Sequence, residues 1–275
     1  MEFRTPVLIP QAPFGIDPME RMLFVGSCFA DNIGRRFQDE KFRATVNPYG
    51  VMYNPASIQH TVERWLAETD DENLPRTVVF TLGTNHVYIL NSTGEIVDNC
   101  QKRPQRLFTE RELSVDECAD YLSNAIEALR QRLSEVRIVI TVSPIRYAKY
   151  GFHGSMLSKS TLMLAADRVV NRYAQTDSHQ CRVVYFPAYE IVCDELRDYR
   201  FYKEDMIHPS SQTVEYIWQR FAETFFTKLT HTFLDEWQPI KRALAHRPFN
   251  PESEEYRKFL SEARQREQQL MEKYK

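Results

Sequence analysis

The chain has 275 residues, 43% of them hydrophobic and 27% charged, with a formal net charge of −3. That length accommodates one large α/β domain with a substantial core, or two small ones. The small net charge implies no broad basic surface, which argues against nucleic acid or anionic membrane as a partner. The five cysteines, Cys28, Cys100, Cys118, Cys181 and Cys193, are widely spaced and form no CxxC pair. They fit free thiols in a reducing, cytoplasmic setting and lack zinc-ligand spacing. No apolar run reaches the length of a bilayer span, and residues 1–10 show no charged leader followed by a long apolar core.

Residues 1–20 carry Pro6, Pro10, Pro13 and Pro18 and read as an irregular lead-in. Leu23-Phe24-Val25 then forms a buried strand that breaks at Gly26. It turns straight into a helix whose apolar residues Phe29, Ile33 and Phe37 recur at helical spacing. Residues 41–46 predict a short second strand, and residues 47–55 a turn-rich loop. Ser57 is placed as the cap of a helix through Trp65 and Leu66. Residues 76–82 form a β-branched strand that stops at Gly83-Thr84-Asn85-His86. Residues 87–90 and 95–97 pair as a hairpin outside the main sheet.

Ser114 and Glu117 make a capping box for a helix through Leu122, Ile126 and Leu129. Residues 136–142 are the next strand. A loop with Arg146, Lys149, His153 and Gly154 leads to a helix over residues 158–173. Residues 182–186 are a further strand, and a polar, aromatic stretch runs to Asp205 and His208. A helix over residues 212–229 closes the core.

Strands alternating with helices predict a three-layer α/β/α sandwich with a mainly parallel sheet. Residues 1–248 are expected to form this domain. Residues 249–275 form a charged tail in which Tyr256, Phe259, Leu260, Ala263 and Leu270 recur near helical spacing. This amphipathic helix either packs on its own domain or makes a homo-oligomer contact.

Reactive residue types gather at strand ends, which share one edge of a parallel sheet. Ser27 stands at a strand end and a helix start. Serine there also serves as a plain cap; as a nucleophile it needs a base within reach. His208 supplies a base, and Asp205 can orient it and stabilise the imidazolium. The same Asp-x-x-His can instead cap the following helix. Donors for a developing oxyanion are the backbone N–H groups of Ser27 and Gly50 and the side-chain amide of Asn85. Gly50, Gly83 and Asn85 equally suit turns. Cys28, a thiol at a helix start, ranks below Ser27 because such cysteines are commonly packed. Arg146, His153 and Lys159 are read as substrate-binding residues for an anionic or sugar group, or as solvated charges on a loop. No metal or other cofactor is implied.

Gly26-Ser27-Cys28-Phe29-Ala30 resembles the motif of the GSCFA family, which is similar to the SGNH (GDSL-type) hydrolases. The resemblance extends over Asn47-Pro48-Tyr49-Gly50, Thr81-Leu82-Gly83-Thr84, Thr141-Val142-Ser143-Pro144, His153-Gly154 with Leu157-Ser158-Lys159, and Asp205-Met206-Ile207-His208-Pro209. It implies an SGNH-type fold, with Ser27 as nucleophile, His208 as base, Asp205 orienting it, and Gly50 and Asn85 in the oxyanion hole. Two departures stand out. Gly26 replaces the aspartate that often precedes the serine, and the third block reads Gly-Thr-Asn-His rather than Gly-x-Asn-Asp.

The expected activity is a serine esterase cleaving a small O-acyl group, such as acetyl, from a small-molecule or carbohydrate ester. The alternatives are an O-acyltransferase to a sugar hydroxyl and a non-catalytic ligand-binding domain on the same fold.

Overall fold

The structure is a computed structural model, and it describes residues 4–176 and 182–275. The chain runs β1 (Arg21–Gly26), α1 (Cys28–Asp39), β2 (Arg43–Val46), α2 (Pro55–Glu68) and β3 (Thr77–Leu82). It continues through β4 (His86–Leu90), β5 (Glu95–Val97), β6 (Phe108–Glu112), α3 (Val115–Arg132), β7 (Arg137–Val142) and α4 (Gly151–Thr176). β8 (Val183–Tyr185) precedes α5 (Ala188–Glu190), which winds on as a π-helical turn over Ile191–Leu196. The chain ends with α6 (Ser211–Phe225), α7 (Lys228–Leu244) and α8 (Glu254–Lys273).

Five strands form a parallel sheet in the order β2-β1-β3-β7-β8. Side chains alternate across it, as the pleat requires. Leu23 and Val25 of β1 face one core with Ile58 and Val62 of α2, Leu122 and Ile126 of α3, and Leu162 of α4. Met22 and Phe24 face the other, with Phe29 and Phe37 of α1 and Trp218 and Phe221 of α6. Phe37 anchors that second layer, edge-on to Trp218 at 4.6 Å and to Phe221 at 5.4 Å. Each such aromatic pair adds roughly 0.5–1.5 kcal/mol to the area it buries. The molecule is therefore the α/β/α sandwich that the alternation of elements predicts.

Several boundaries differ from the sequence reading. Asn54, not Ser57, caps α2: its side chain accepts the Ser57 N–H at 2.9 Å, and Pro55 opens the helix. Proline needs no N–H acceptor there, which moves the start back. The expected hairpin after β3 is present as β4 and β5, and β6 joins it to make a three-stranded antiparallel sheet in the order β5-β4-β6. α4 starts at Gly151, so residues 151–157 lie on a helix rather than in a loop. The helix expected over residues 212–229 is two helices. Phe226 bridges to Ile16, and Thr227 caps α7 by accepting from the Thr230 N–H.

α8 folds back on α7. Leu270 packs with Phe233 and Trp237, and Lys41 pairs with Glu267 at 2.6 Å. Trp237 donates its indole N–H to the carbonyl of Asp39 at 3.2 Å, tying this helical pair to the end of α1. The buried face of α8, Ala263 and Leu270, lies against its own chain. Cys28, Cys100, Cys118 and Cys193 are free thiols, and Cys181 lies outside the described residues. Among the described residues no helix is long and apolar enough to cross a membrane.

Candidate active site

The chain turns from β2 to β3 across β1, so the strand order reverses between β1 and β3. Ligands bind at such a switch point, outside the carboxyl ends of the strands. Ser27 is the residue placed there. Gly26 leaves β1 with φ +144°, and a Cβ on it would stand 2.1 Å from the Thr81 carbonyl oxygen. Only glycine fits, which accounts for the absence of an aspartate before the serine. Ser27 donates its N–H to the Thr81 carbonyl at 3.0 Å. Its Oγ lies 3.2 Å from Thr81 Oγ1 and accepts the Phe29 N–H at 3.2 Å, capping α1. Asn47, in the left-handed region at φ +41°, accepts the Gly26 N–H at 2.9 Å and donates to Asp31 at 2.7 Å. The serine therefore sits on a backbone fixed from both neighbouring strands.

The three expected oxyanion donors are all engaged. The Ser27 N–H goes to Thr81, and the Gly50 N–H closes a turn onto the Asn47 carbonyl at 2.8 Å. Asn85 is buried and donates its amide to the Leu113 carbonyl at 2.8 Å. Gly50 thus closes a local turn, and Asn85 ties the loop after β3 to the segment before α3. The N–H of Cys28, first in α1, has no acceptor among the described residues. It lies at the positive end of the helix dipole, beside Ser27.

Asp205 and His208 come together in the loop before α6. Asp205 Oδ2 is 2.7 Å from His208 Nδ1, and Oδ1 accepts the N–H groups of Ile207 and His208, both at 2.9 Å. These bonds, the His208 N–H first, hold the Asp205 carboxyl down at about 2. A carboxylate only accepts, so in the neutral ring Nδ1 carries the proton and Nε2 the lone pair. The loop is seated on the carboxyl end of β7. Arg146 donates its backbone N–H to the Ile207 carbonyl at 3.1 Å and its guanidinium to the Met206 carbonyl at 2.8 Å. Ser27 and His208 therefore lie on the same edge of the sheet. They are not hydrogen-bonded to each other: the Ser27 hydroxyl is turned to Thr81, and His208 Nε2 has no partner among the described residues.

Lys159 is not a surface substrate contact. It is 1% exposed, and its ammonium donates to the carbonyls of Gly83 at 2.6 Å and Ser143 at 2.8 Å. Burial, without a carboxylate partner, pulls it down to about 7. The neighbouring Ser158 accepts the Asn85 N–H at 3.0 Å. α4 thereby pins the loop after β3, whose Gly83 lies so close to Ser27 that a Cβ would meet Ser27 Cβ at 3.3 Å. His153 is exposed on the first turn of α4 and bonds no described residue.

The GSCFA family model matches residues 21–75 and 73–221. The chain belongs to the GSCFA family. A second model, the C-terminal domain of GSCFA domain proteins, matches residues 237–275 and so begins inside α7 rather than after it. No curated protein matches the sequence. Among solved structures, the chain is similar to a mutant of an acetyl esterase with acetate ion, at 13% identity and TM-score 0.45, over 80% of this chain and 100% of that one. It is also similar to a G-D-S-L family lipolytic protein from Veillonella parvula, at 13% identity and TM-score 0.46, over 74% and 97%. A family 3 carbohydrate esterase from Talaromyces cellulolyticus gives 13% identity and TM-score 0.45, over 74% and 95%.

The family blocks contain residues whose part in the site the sequence reading did not assign. Thr81 holds Ser27 through both its carbonyl and its hydroxyl. Asn47, rather than Gly50, reaches the serine loop. The available signal was an asparagine opening a turn, a residue type that tolerates the left-handed conformation. Tyr53, whose hydroxyl lies 3.6 Å from Cys28 Sγ, and Tyr147, 6.1 Å from Tyr53 ring to ring, form a wall beside the start of α1. Nothing in their spacing marked them.

Proposed function

We propose that this GSCFA protein is a serine hydrolase that cleaves a small O-acyl group, such as acetyl, from an ester. The observation that carries the reading is the Asp205–His208 pair, at 2.7 Å, on the sheet edge that also presents Ser27. Asp205 fixes the tautomer, so His208 Nε2 takes the Ser27 hydroxyl proton as Oγ bonds to the carbonyl carbon. The carbonyl oxygen becomes an oxyanion and accepts the Cys28 N–H at the amino end of α1. Collapse breaks the ester bond, and the leaving alcohol takes the proton from His208. Water then gives a proton to His208, attacks the acyl-serine and releases the acid, returning the proton to Ser27.

In this scheme the Ser27 hydroxyl leaves Thr81 when substrate arrives. Catalytic hydrogen bonds commonly tighten only in the substrate complex. The Ser27–Thr81 bond also favours a second reading, a non-catalytic domain that binds an ester-sized ligand on the same edge. Hydrolysis of p-nitrophenyl acetate by wild type, Ser27→Ala and His208→Ala separates the two. A rate that disappears in both variants supports hydrolysis, and a wild-type rate equal to theirs leaves the binding reading. Repeating the reaction with sugar alcohols present, and weighing the products, distinguishes acyl transfer from hydrolysis.

A further inference from the structure

Three part-buried arginines in this protein carry acidic partners. Arg36 pairs with Glu215 at 2.8 Å, Arg137 with Glu20 at 3.1 Å and Arg220 with Glu195 at 3.7 Å. Arg146 is also part-buried, yet it has no carboxylate partner among the described residues. It spends one N–H of its guanidinium on the Met206 carbonyl at 2.8 Å, of the five the group offers. The Phe152 ring centroid lies 3.9 Å from the guanidinium carbon, and those of Tyr202 and Tyr199 at 5.5 and 5.6 Å. A guanidinium stacked in this way has lost part of its water without gaining a counter-charge.

Arg146 also lines a cavity of 230 Å³ with Val192, Cys193, Arg197, Asp198, Tyr199 and Tyr202. That is room for about seven water-sized groups. The acid in the lining, Asp198, is engaged elsewhere: it accepts the Arg200 N–H at 2.8 Å and pairs with the Arg200 guanidinium at 3.5 Å. Arg197 faces Asp194 at 3.4 Å. The cavity shares Arg146 with the Asp205–His208 loop, because the same residue holds the carbonyls of Met206 and Ile207.

We propose that this cavity is a subsite for an anionic group, a carboxylate or a phosphate, carried by the molecule whose ester bond meets Ser27. The inference rests on the hydrolase reading and gives it a substrate class. Arg146 offers the anion paired, planar donors, Tyr199 and Tyr202 wall the site, and Phe152 stacks on the guanidinium. An anion held there brings the rest of the substrate up to the His208 loop.

Calorimetric titration of the full chain with benzoate, phenyl phosphate and the neutral benzyl alcohol tests this. The variants are Arg146→Met, Arg146→Lys and Tyr199→Ala. Tyr199 is 65% exposed, so its replacement leaves the fold intact. At least one anion is expected to bind wild type, at least tenfold more weakly to Arg146→Met and to an intermediate degree to Arg146→Lys. Tyr199→Ala is expected to weaken it severalfold, and benzyl alcohol to give no measurable heat. The tighter of the two anions identifies carboxylate or phosphate as the group. Equal affinity in wild type and Arg146→Met, an unchanged affinity in Tyr199→Ala, or binding of neither anion overturns the subsite. Fluorophosphonate labelling of Ser27 is read in parallel. Labelling without anion binding removes the subsite and keeps the hydrolase, whereas anion binding without labelling removes the hydrolase.

Discussion

Asp205 Oδ2 stands 2.7 Å from His208 Nδ1, and the other oxygen of the same carboxylate holds the backbone N–H of His208. One side chain thus fixes both the ring and the main chain of the proposed base. Asp205→Asn keeps the shape of the loop but loses the acceptor that selects the tautomer. It is expected to lower kcat for ester hydrolysis by roughly 10³–10⁴-fold with little change in KM. Steady-state kinetics on p-nitrophenyl acetate read this directly, and a loss below about tenfold contradicts the role given to Asp205.

Gly26→Ala tests the turn that presents the serine. The new methyl would meet the Thr81 carbonyl oxygen at 2.1 Å in a backbone held at φ +144°. Both the overlap and the conformation oppose it, and the expected loss is about 3 kcal/mol in urea unfolding. A variant as stable as wild type would show that the turn relaxes without consequence.

Lys159 predicts a specific pH dependence of stability. Its folded value of about 7 lies well below the ordinary lysine value of 10.5. Between those limits the unfolded chain holds a proton on Lys159 that the folded chain does not. Stability therefore rises with pH across that window, by up to about 1.4 kcal/mol per unit. Below about 7 both states are protonated and the unfavourable contribution is full and flat. Lys159→Met removes the slope. Urea unfolding of both proteins from about pH 6 to about pH 10 should show the stability difference moving in favour of wild type as pH rises. A difference independent of pH contradicts a buried, uncompensated amine.

The architecture was legible because strands such as Thr77–Leu82 are buried on both faces and read as runs rich in β-branched residues. The caps were legible where a reciprocal pair marks them, as at Ser114 and Glu117. Asn54 was missed because a serine three residues on suits the same role. The antiparallel strand Phe108–Glu112 was missed because one face of it is charged and its partner strand lies outside the main sheet. The Asp205–His208 contact followed from a three-residue spacing. Which N–H groups remain free did not, because for Ser27 and Asn85 that depends on the carbonyls of Thr81 and Leu113, supplied from distant parts of the chain.

The C-terminal helix gives a prediction independent of the site. Leu270 is 5% exposed and packs with Phe233 and Trp237. Leu270→Ala is expected to cost about 2 kcal/mol or slightly more, with the rate of Ser27 labelling unchanged. Urea unfolding checks the first part. A cost below about 0.5 kcal/mol, the range of ordinary surface changes, would mean that α8 does not contribute to the fold.

The most direct test of the central claim is stoichiometric labelling by a fluorophosphonate, followed by intact mass measurement, for wild type, Ser27→Ala and His208→Ala. Hydrolysis at Ser27 predicts one adduct per wild-type chain, none on Ser27→Ala and a rate on His208→Ala lower by at least about a hundredfold. Folded wild type that takes up no label, or a Ser27→Ala variant that still does, contradicts it.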